Sequence, residues 1–316
     1  RQIKDHTAAE TTLFQPAPAL RIRWNSNTDT PIPPDEPAGQ NPPDGAVIDY
    51  YLQQEAAGDV SLDILDDKGI LVRHYSSSDT LYTVPEVDIP LYWIRPQVIL
   101  SKKAGPHRFI WDLHYTPLNL PPSYPIAAIY KNTAPEPTSP WVAPGTYTVK
   151  LSVNGQTFTQ PLTVRIDPRI TTAAIDLHKQ LQASLLCYAA RQQISHTQRE
   201  ISMVQDQVTA RITQAKGPLL ISLKHLNEKI SALQNPKLTA TLKGYGALYG
   251  TFAGLFQALQ ETDGPPQNKL LSAVAEAETN LKTLNASWDA IRSDEVRATN
   301  KDLMKDALQP INVNLQ

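Results

Sequence analysis

The run from Pro144 to Pro168, PGTYTVKLSVNGQTFTQPLTVRIDP, reads as two strands folded back on one another. Tyr147, Val149, Leu151 and Val153 alternate with polar neighbours, the period of a half-buried strand. Asn154-Gly155 supplies the two residues that tolerate positive φ in a type I′ turn, and Phe158, Leu162, Val164 and Ile166 return. At its end the chain changes character. Of 27 prolines, 22 lie at or before Pro168 and 5 after it. Proline is excluded from helix interiors and central strands, so strands and loops are expected before this point and helices after it. The boundary falls at Asp167-Pro168-Arg169, with Thr171 or Thr172 capping a first helix.

Working upstream, Ala46, Ile48, Tyr50 and Leu52 alternate, and Val60, Leu62 and Ile64 lead through Asp67-Lys68-Gly69 into Ile70 to Tyr75, a second hairpin. In AGPHRFIWDLHYTP, Ala104 to Pro117, the period puts Phe109, Trp111, Leu113 and Tyr115 on a core face, and Arg108, Ile110, Asp112 and His114 on the other. Leu20 to Trp24 adds an earlier strand. Two long proline-rich connections, Asn25 to Pro43 and Thr116 to Pro144, are of a length that is either functional or packed on something else. Tyr124, Tyr130 and Trp141 stand among the prolines of the second and would form a contact surface.

Downstream, Leu219, Leu223, Leu226, Ile230 and Leu233 step by four and three, as do Leu270, Val274, Ala277, Leu281, Leu284, Trp288 and Ile291. A first helix from Thr172 to Lys216 would place Leu177, Leu181, Leu185, Ile201, Val204, Val208 and Ile212 in a core. Gly217-Pro218, Asn235-Pro236 and Gly264-Pro265 punctuate the helices. Gly244, Gly246, Gly250 and Gly254 in KGYGALYGTFAGLF form a small-residue ridge, read as a close approach between helices. The expected fold is multidomain: an extended lead-in over residues 1–45, an Ig-like antiparallel β-sandwich over 46–168 with an insertion at 116–144, and an antiparallel helical bundle over 169–316.

Composition narrows function more than it identifies it. A net charge of -2, from 29 Lys plus Arg against 31 Asp plus Glu, provides no basic field for nucleic acid. No window approaches the roughly 18 apolar residues of a membrane span. The single cysteine, Cys187, excludes an internal disulfide and sits on an apolar helix stretch as a core residue, leaving the compartment open. The start at Arg1 and the missing signal pattern read as a piece of a longer protein.

Asp112 and His114 at i, i+2 could offer two metal ligands or an acid/base pair, but no third ligand accompanies them, so the structural reading is preferred and no metal or cofactor is expected. His107, His178, His196 and His225 are scattered singly. Asp35 and Glu36, the carboxyls a glycosidase would need as a pair, lie in a proline-rich connector. No GxSxG, P-loop or GxGxxG spacing occurs.

The ordered runs LFQPAPALRIRWN, NPPDGAVIDYYL, VSLDILDDKGILVRHYSS, AGPHRFIWDLHY and APGTYTVKLSVNGQTFTQPLTVRIDPR resemble the C-terminal region of large bacterial proteins carrying a sortilin-like or Asp-box β-propeller, often labelled glycosyl hydrolases. The resemblance covers about residues 10–175 and, more loosely, the helical remainder. LDILDDKGILVR, AGPHRFIWDL and PGTYTVKL are also similar to the Ig-like domain of flagellar hook-capping proteins, from which the 116–144 insertion departs. The resemblance implies an exported protein, periplasmic, cell-surface or secreted, whose N-terminal propeller would be the partner of this region. No SxDxGxTW Asp-box motif occurs in the chain, so the hydrolase label does not carry over as an activity. The expectation is a non-catalytic scaffold or interaction region. Its rivals are a carbohydrate-binding module stacking sugars on Tyr124, Tyr130 and Trp141, or a hydrolase with a site at the domain interface.

Overall fold

The computed structural model of the chain describes residues 10–23, 35–37, 39, 42–126, 129–234 and 243–313. It contains both sheets and helices, with every described strand before every described helix of two turns or more. Two compact units divide between Leu181 and Gln182. The division therefore falls inside the first long helix rather than at Pro168.

In the first unit, β1 (Thr12–Leu13), β3 (Ala46–Leu52) and β6 (Gly105–Trp111) form a three-stranded sheet. A five-stranded sheet is built from β2 (Ala19–Arg21), β8 (Gln156–Ile166), β7 (Gly145–Val153), β4 (Ser61–Leu65) and β5 (Leu71–Ser76), in that spatial order. Inward side chains of both sheets, among them Ile48, Tyr50 and Trp111 from one and Leu62, Val149 and Leu162 from the other, belong to one buried cluster.

The β7–β8 hairpin closes as the sequence dictates. Asn154 at φ 48° and Gly155 at φ 77° supply the two positive values. Pro161 interrupts nothing, because β2 pairs β8 only from Val164 to Ile166 and leaves the outer edge open at the proline. The β4–β5 turn is held by Asp66, whose Oδ1 accepts from the backbone N–H of Lys68 at 2.9 Å and of Ile70 at 2.8 Å, while Gly69 takes φ 76°. Two elements lay beyond local pattern: β2 pairs β8 in parallel, and β1 joins β3 through two residues.

One expected strand ends early. The alternation holds through Phe109 and Trp111, both buried, but β6 stops at Trp111. Leu113 adopts φ 61°, and the Asp112 carboxylate accepts from the His114 backbone N–H at 3.2 Å. This turn breaks the period of two, so His114 is buried rather than facing outward with Arg108. Of the expected Leu20–Trp24 strand, Ala19–Arg21 is observed; Trp24 and most of the Asn25–Pro43 connection lie outside the described residues.

The second unit contains α2 (Gly217–Gln234), α3 (Tyr245–Gln260), α4 (Asn268–Ala290) and α5 (Val296–Lys305), together with most of α1 (Ala174–Ile212), which begins in the first unit. The two leucine-rich stripes face one core, with Leu219 through Leu233 and Val274 through Ile291 buried at every expected step and Leu270 packed against its edge. The start of α1 departs from expectation: Leu181 and Leu185 are half-buried, and Ala183, Ser184 and Cys187 occupy the inner face instead. The glycine ridge also reads differently. A methyl group added at Gly246, Gly250 or Gly254 would meet nothing within 4 Å, so these glycines face open space and permit no close helix approach. Asn235-Pro236 lies outside the described residues.

Candidate functional site

Among the described residues of the first unit, most of the exposed large apolar side chains fall on two segments, residues 81–99 and residues 118–126 with 129–130. Leu91 is 67% exposed, Tyr92 58%, Val98 62% and Ile126 86%, with Leu81, Tyr82, Leu120 and Tyr130 also open. These are not loose ends. Ile94 bridges Thr133, the Thr133 N–H donates to the Trp93 carbonyl at 2.9 Å, and the Arg95 N–H donates to the Thr133 carbonyl at 2.8 Å. Arg95 Nε donates to the Asn132 side chain at 2.8 Å, and both residues reach the Asp44 carboxylate just before β3. A shared polar seam thus ties the two connections together, while the apolar side chains they carry are exposed.

The aromatic residues of the two segments pair across that seam. The hydroxyls of Tyr82 and Tyr124 lie 2.9 Å apart, and burial beside this partner raises the Tyr124 phenol above its ordinary value. The rings of Tyr92 and Tyr130 have centroids 6.2 Å apart, with the Lys131 ammonium 5.2 Å from the Tyr130 ring. A shallow hollow of about 350 Å³ opens between Tyr92, Ile94, Gln97 and Lys131. Of the aromatics named from sequence, Tyr124 and Tyr130 meet here. Tyr82 and Tyr92 were not named, although LYTVPEVDIPLYWIRPQVIL, Leu81 to Leu100, shows the same mixture of prolines and aromatics that marks the 116–144 insertion.

Trp141 belongs to another cluster. Its ring lies 4.1 Å from that of His114, centroid to centroid, and the guanidinium carbons of Arg21 and Arg23 stand 5.7 and 5.6 Å from it. These neighbours cover a ring that a sugar would need bare. Arg21 is itself buried, donating from Nη1 to the Val142 carbonyl at 2.7 Å and from Nη2 to Gln180 Oε1 at 3.5 Å. Asp112 stays half-exposed at the strand end, and His114 Nδ1 lies 2.8 Å from the Asp112 carbonyl, to which it donates. His114 Nε2 is buried with no hydrogen-bond partner among the described residues. Burial lowers the His114 pKa and outweighs the opposing pull of Asp112, with Arg21 and Arg23 adding a lesser push in the same direction as burial. A neutral imidazole with both nitrogens inside the protein is placed to pack, and not to exchange protons with a substrate.

The remaining candidates are dispersed. The His107 ring bonds the Lys103 carbonyl, the His178 ring bonds the Ala174 carbonyl, and His196 lies beside Glu200 on its own helix. His225, Asp35 and Glu36 are exposed. Cys187 is buried, and burial pushes its thiol up to about 12, the opposite of nucleophile activation. Among the described residues no group of three His, Cys, Asp or Glu is placed to hold a metal ion, and no helix is long and apolar enough to cross a membrane. No protein-family model, curated protein or solved structure matches the chain.

Proposed function

We propose that the chain is a non-catalytic scaffold and interaction region of a larger exported protein, in which an Ig-like β-sandwich presents the docking surface and an antiparallel helical bundle follows. The observation that carries this reading is the apolar surface on residues 81–99 and 118–130. Side chains as exposed as Leu91, Tyr92, Val98 and Ile126, grouped on two connections tied together by hydrogen bonds, are characteristic of a partner site. Tyrosines are enriched in such surfaces because they bury a large area while losing little side-chain freedom. The acids and imidazoles that could serve catalysis, by contrast, stand dispersed among the described residues.

The partner proposed is the N-terminal β-propeller of the same parent chain, by the resemblance to sortilin-like propeller proteins. The test is to produce that propeller separately and measure its association with this chain. Association is expected, with loss of about tenfold or more in affinity for Leu91→Asp/Tyr92→Asp, whose side chains leave the folded core untouched. Failure of the two pieces to associate would remove this partner.

A second reading rests on the Tyr92–Tyr130 pair beside its hollow, which suits a sugar face with Lys131 and Gln97 near its hydroxyls. Binding on a glycan array, lost on Tyr92→Ala with the thermal midpoint unchanged, would favour it over the propeller. Trp141→Ala would not discriminate, since that ring is engaged by His114, Arg21 and Arg23.

A further inference from the structure

Between α4 and α5 the helix widens into a single π-turn, Ile291–Glu295, closed by the Val296 N–H donating to the Ile291 carbonyl five residues back. In an α-helix, residues five apart point about 140° away from each other, given 3.6 residues per turn. A π-turn sets residue i beneath residue i+5 instead. Arg292 and Arg297 are five apart across this turn, and Lys301 follows Arg297 by four, one α-helical turn on. The insertion therefore gathers onto one face three cations that a regular helix would spread, and all three line one hollow of about 310 Å³.

The carboxylates of the neighbourhood are largely committed elsewhere. Asp289 and Glu200 hold Arg292, Glu295 holds Lys229 at 2.7 Å, and Asp302 holds Lys305 at 2.7 Å. Asp294 is exposed and accepts from the Ser293 hydroxyl. Arg297 and Lys301 are exposed and have no carboxylate partner among the described residues. Beside them the surface is apolar: Val296 and Ile311 are buried at its base, Val313 is half-buried and Met304 is 59% exposed. The Ile311 wall is fixed by Asn300, which donates to the Ile311 carbonyl at 2.9 Å and accepts from its N–H at 2.7 Å.

The geometry points to a binding site for a small anionic amphiphile: a carboxylate head held by Arg297 and Lys301, with a short apolar body lying over Met304, Ile311 and Val313. Guanidinium and ammonium donors side by side form charge-assisted bonds to such a head, and the hollow is of the size that holds a small ligand. The same chemistry is offered by a free medium-chain fatty acid anion and by the C-terminal carboxylate of an apolar peptide.

Calorimetric titration of the whole chain with decanoate, below its aggregation concentration, tests this site. Decanol supplies the body without the charge, and butyrate the charge with little body. A Leu-Leu-Phe peptide with a free or an amidated C-terminus tests the second source. Saturable binding is expected for decanoate or for the free peptide, and whichever binds identifies the source. Binding should weaken at least about tenfold in Arg297→Gln/Lys301→Gln, by removal of two charge-assisted partners, and fall with added salt. Met304→Glu, a like charge placed against the head, should abolish it, and unchanged thermal midpoints would show that all variants fold. The assignment is overturned if neither anion binds, if decanol matches decanoate, or if the double variant binds as the parent does.

Discussion

His114 is a buried imidazole kept neutral by its surroundings, and that makes it a source of pH dependence. Its pKa in the folded protein lies below the value of about 6.5 that the unfolded chain would show. Between those two values the unfolded state binds a proton that the folded state refuses, so stability is complete above about pH 6.5 and declines as pH falls through that window. Protonation would also set a third cation against Arg21 and Arg23 around the Trp141 ring. Lowering the pH from about 7.5 to about 5.5, across the unfolded histidine pKa, should depress the thermal midpoint of the first unit more in the parent than in His114→Gln. Equal depression in both would show that the dependence comes from the carboxylates instead.

At the scale of elements, the entry to β3 depends on one residue without a side chain. Gly45 takes φ 124°, and a Cβ there would lie 2.0 Å from the Trp111 carbonyl oxygen at the end of the paired strand β6. Both the backbone conformation and the contact exclude any other residue. Gly45→Ala should therefore cost about 3 kcal/mol or more, combining a forbidden dihedral with a backbone clash, measurable as a fall in the denaturation midpoint.

How much of each element was legible in sequence depended on the range of the forces that set it. Asn154-Gly155 and the stepping leucines from Leu219 to Leu233 are local, since a turn type or a helical face is decided within a few residues, and they were readable. The stop of β6 after Trp111 was not readable, because Leu113 enters positive φ only with tertiary support. Its carbonyl accepts from the Val142 N–H, and the Trp111 indole donates to the His114 carbonyl at 2.9 Å. The π-turn gave no signal in hydrophobic spacing, as Trp288 and Ile291 keep the stripe unbroken up to it. In the candidate surfaces, Tyr124 and Tyr130 were visible as aromatics among prolines, whereas their meeting with Tyr82 and Tyr92 requires a fold that brings residues 42 and 38 positions apart together.

At the scale of the whole molecule, most of the buried apolar side chains among the described residues fall into two clusters with no residue in common, one running from Leu13 to Val164 and the other from Ala183 onward. Each unit carries its own reserve of buried surface. Trp111 is fully buried and packs edge-on to Tyr147, so Trp111→Ala should cost the first unit about 3 to 5 kcal/mol, the range for emptying a large aromatic site. Hydrogen exchange should then show faster exchange across β3 to β8 and unchanged protection in α2 to α5. Loss of protection in both units together would show that they unfold as one.

The parallel pairing of β2 with β8 sets how the first unit responds to tension. Force applied between the chain before Ala19 and the chain beyond Ile166 pulls these two strands in opposite directions along their length. The rungs joining Ala19–Arg21 to Val164–Ile166 are then sheared together instead of opening one after another like a zip. A short strand is thereby made a mechanical clasp, firm against stretching yet easily peeled from its end.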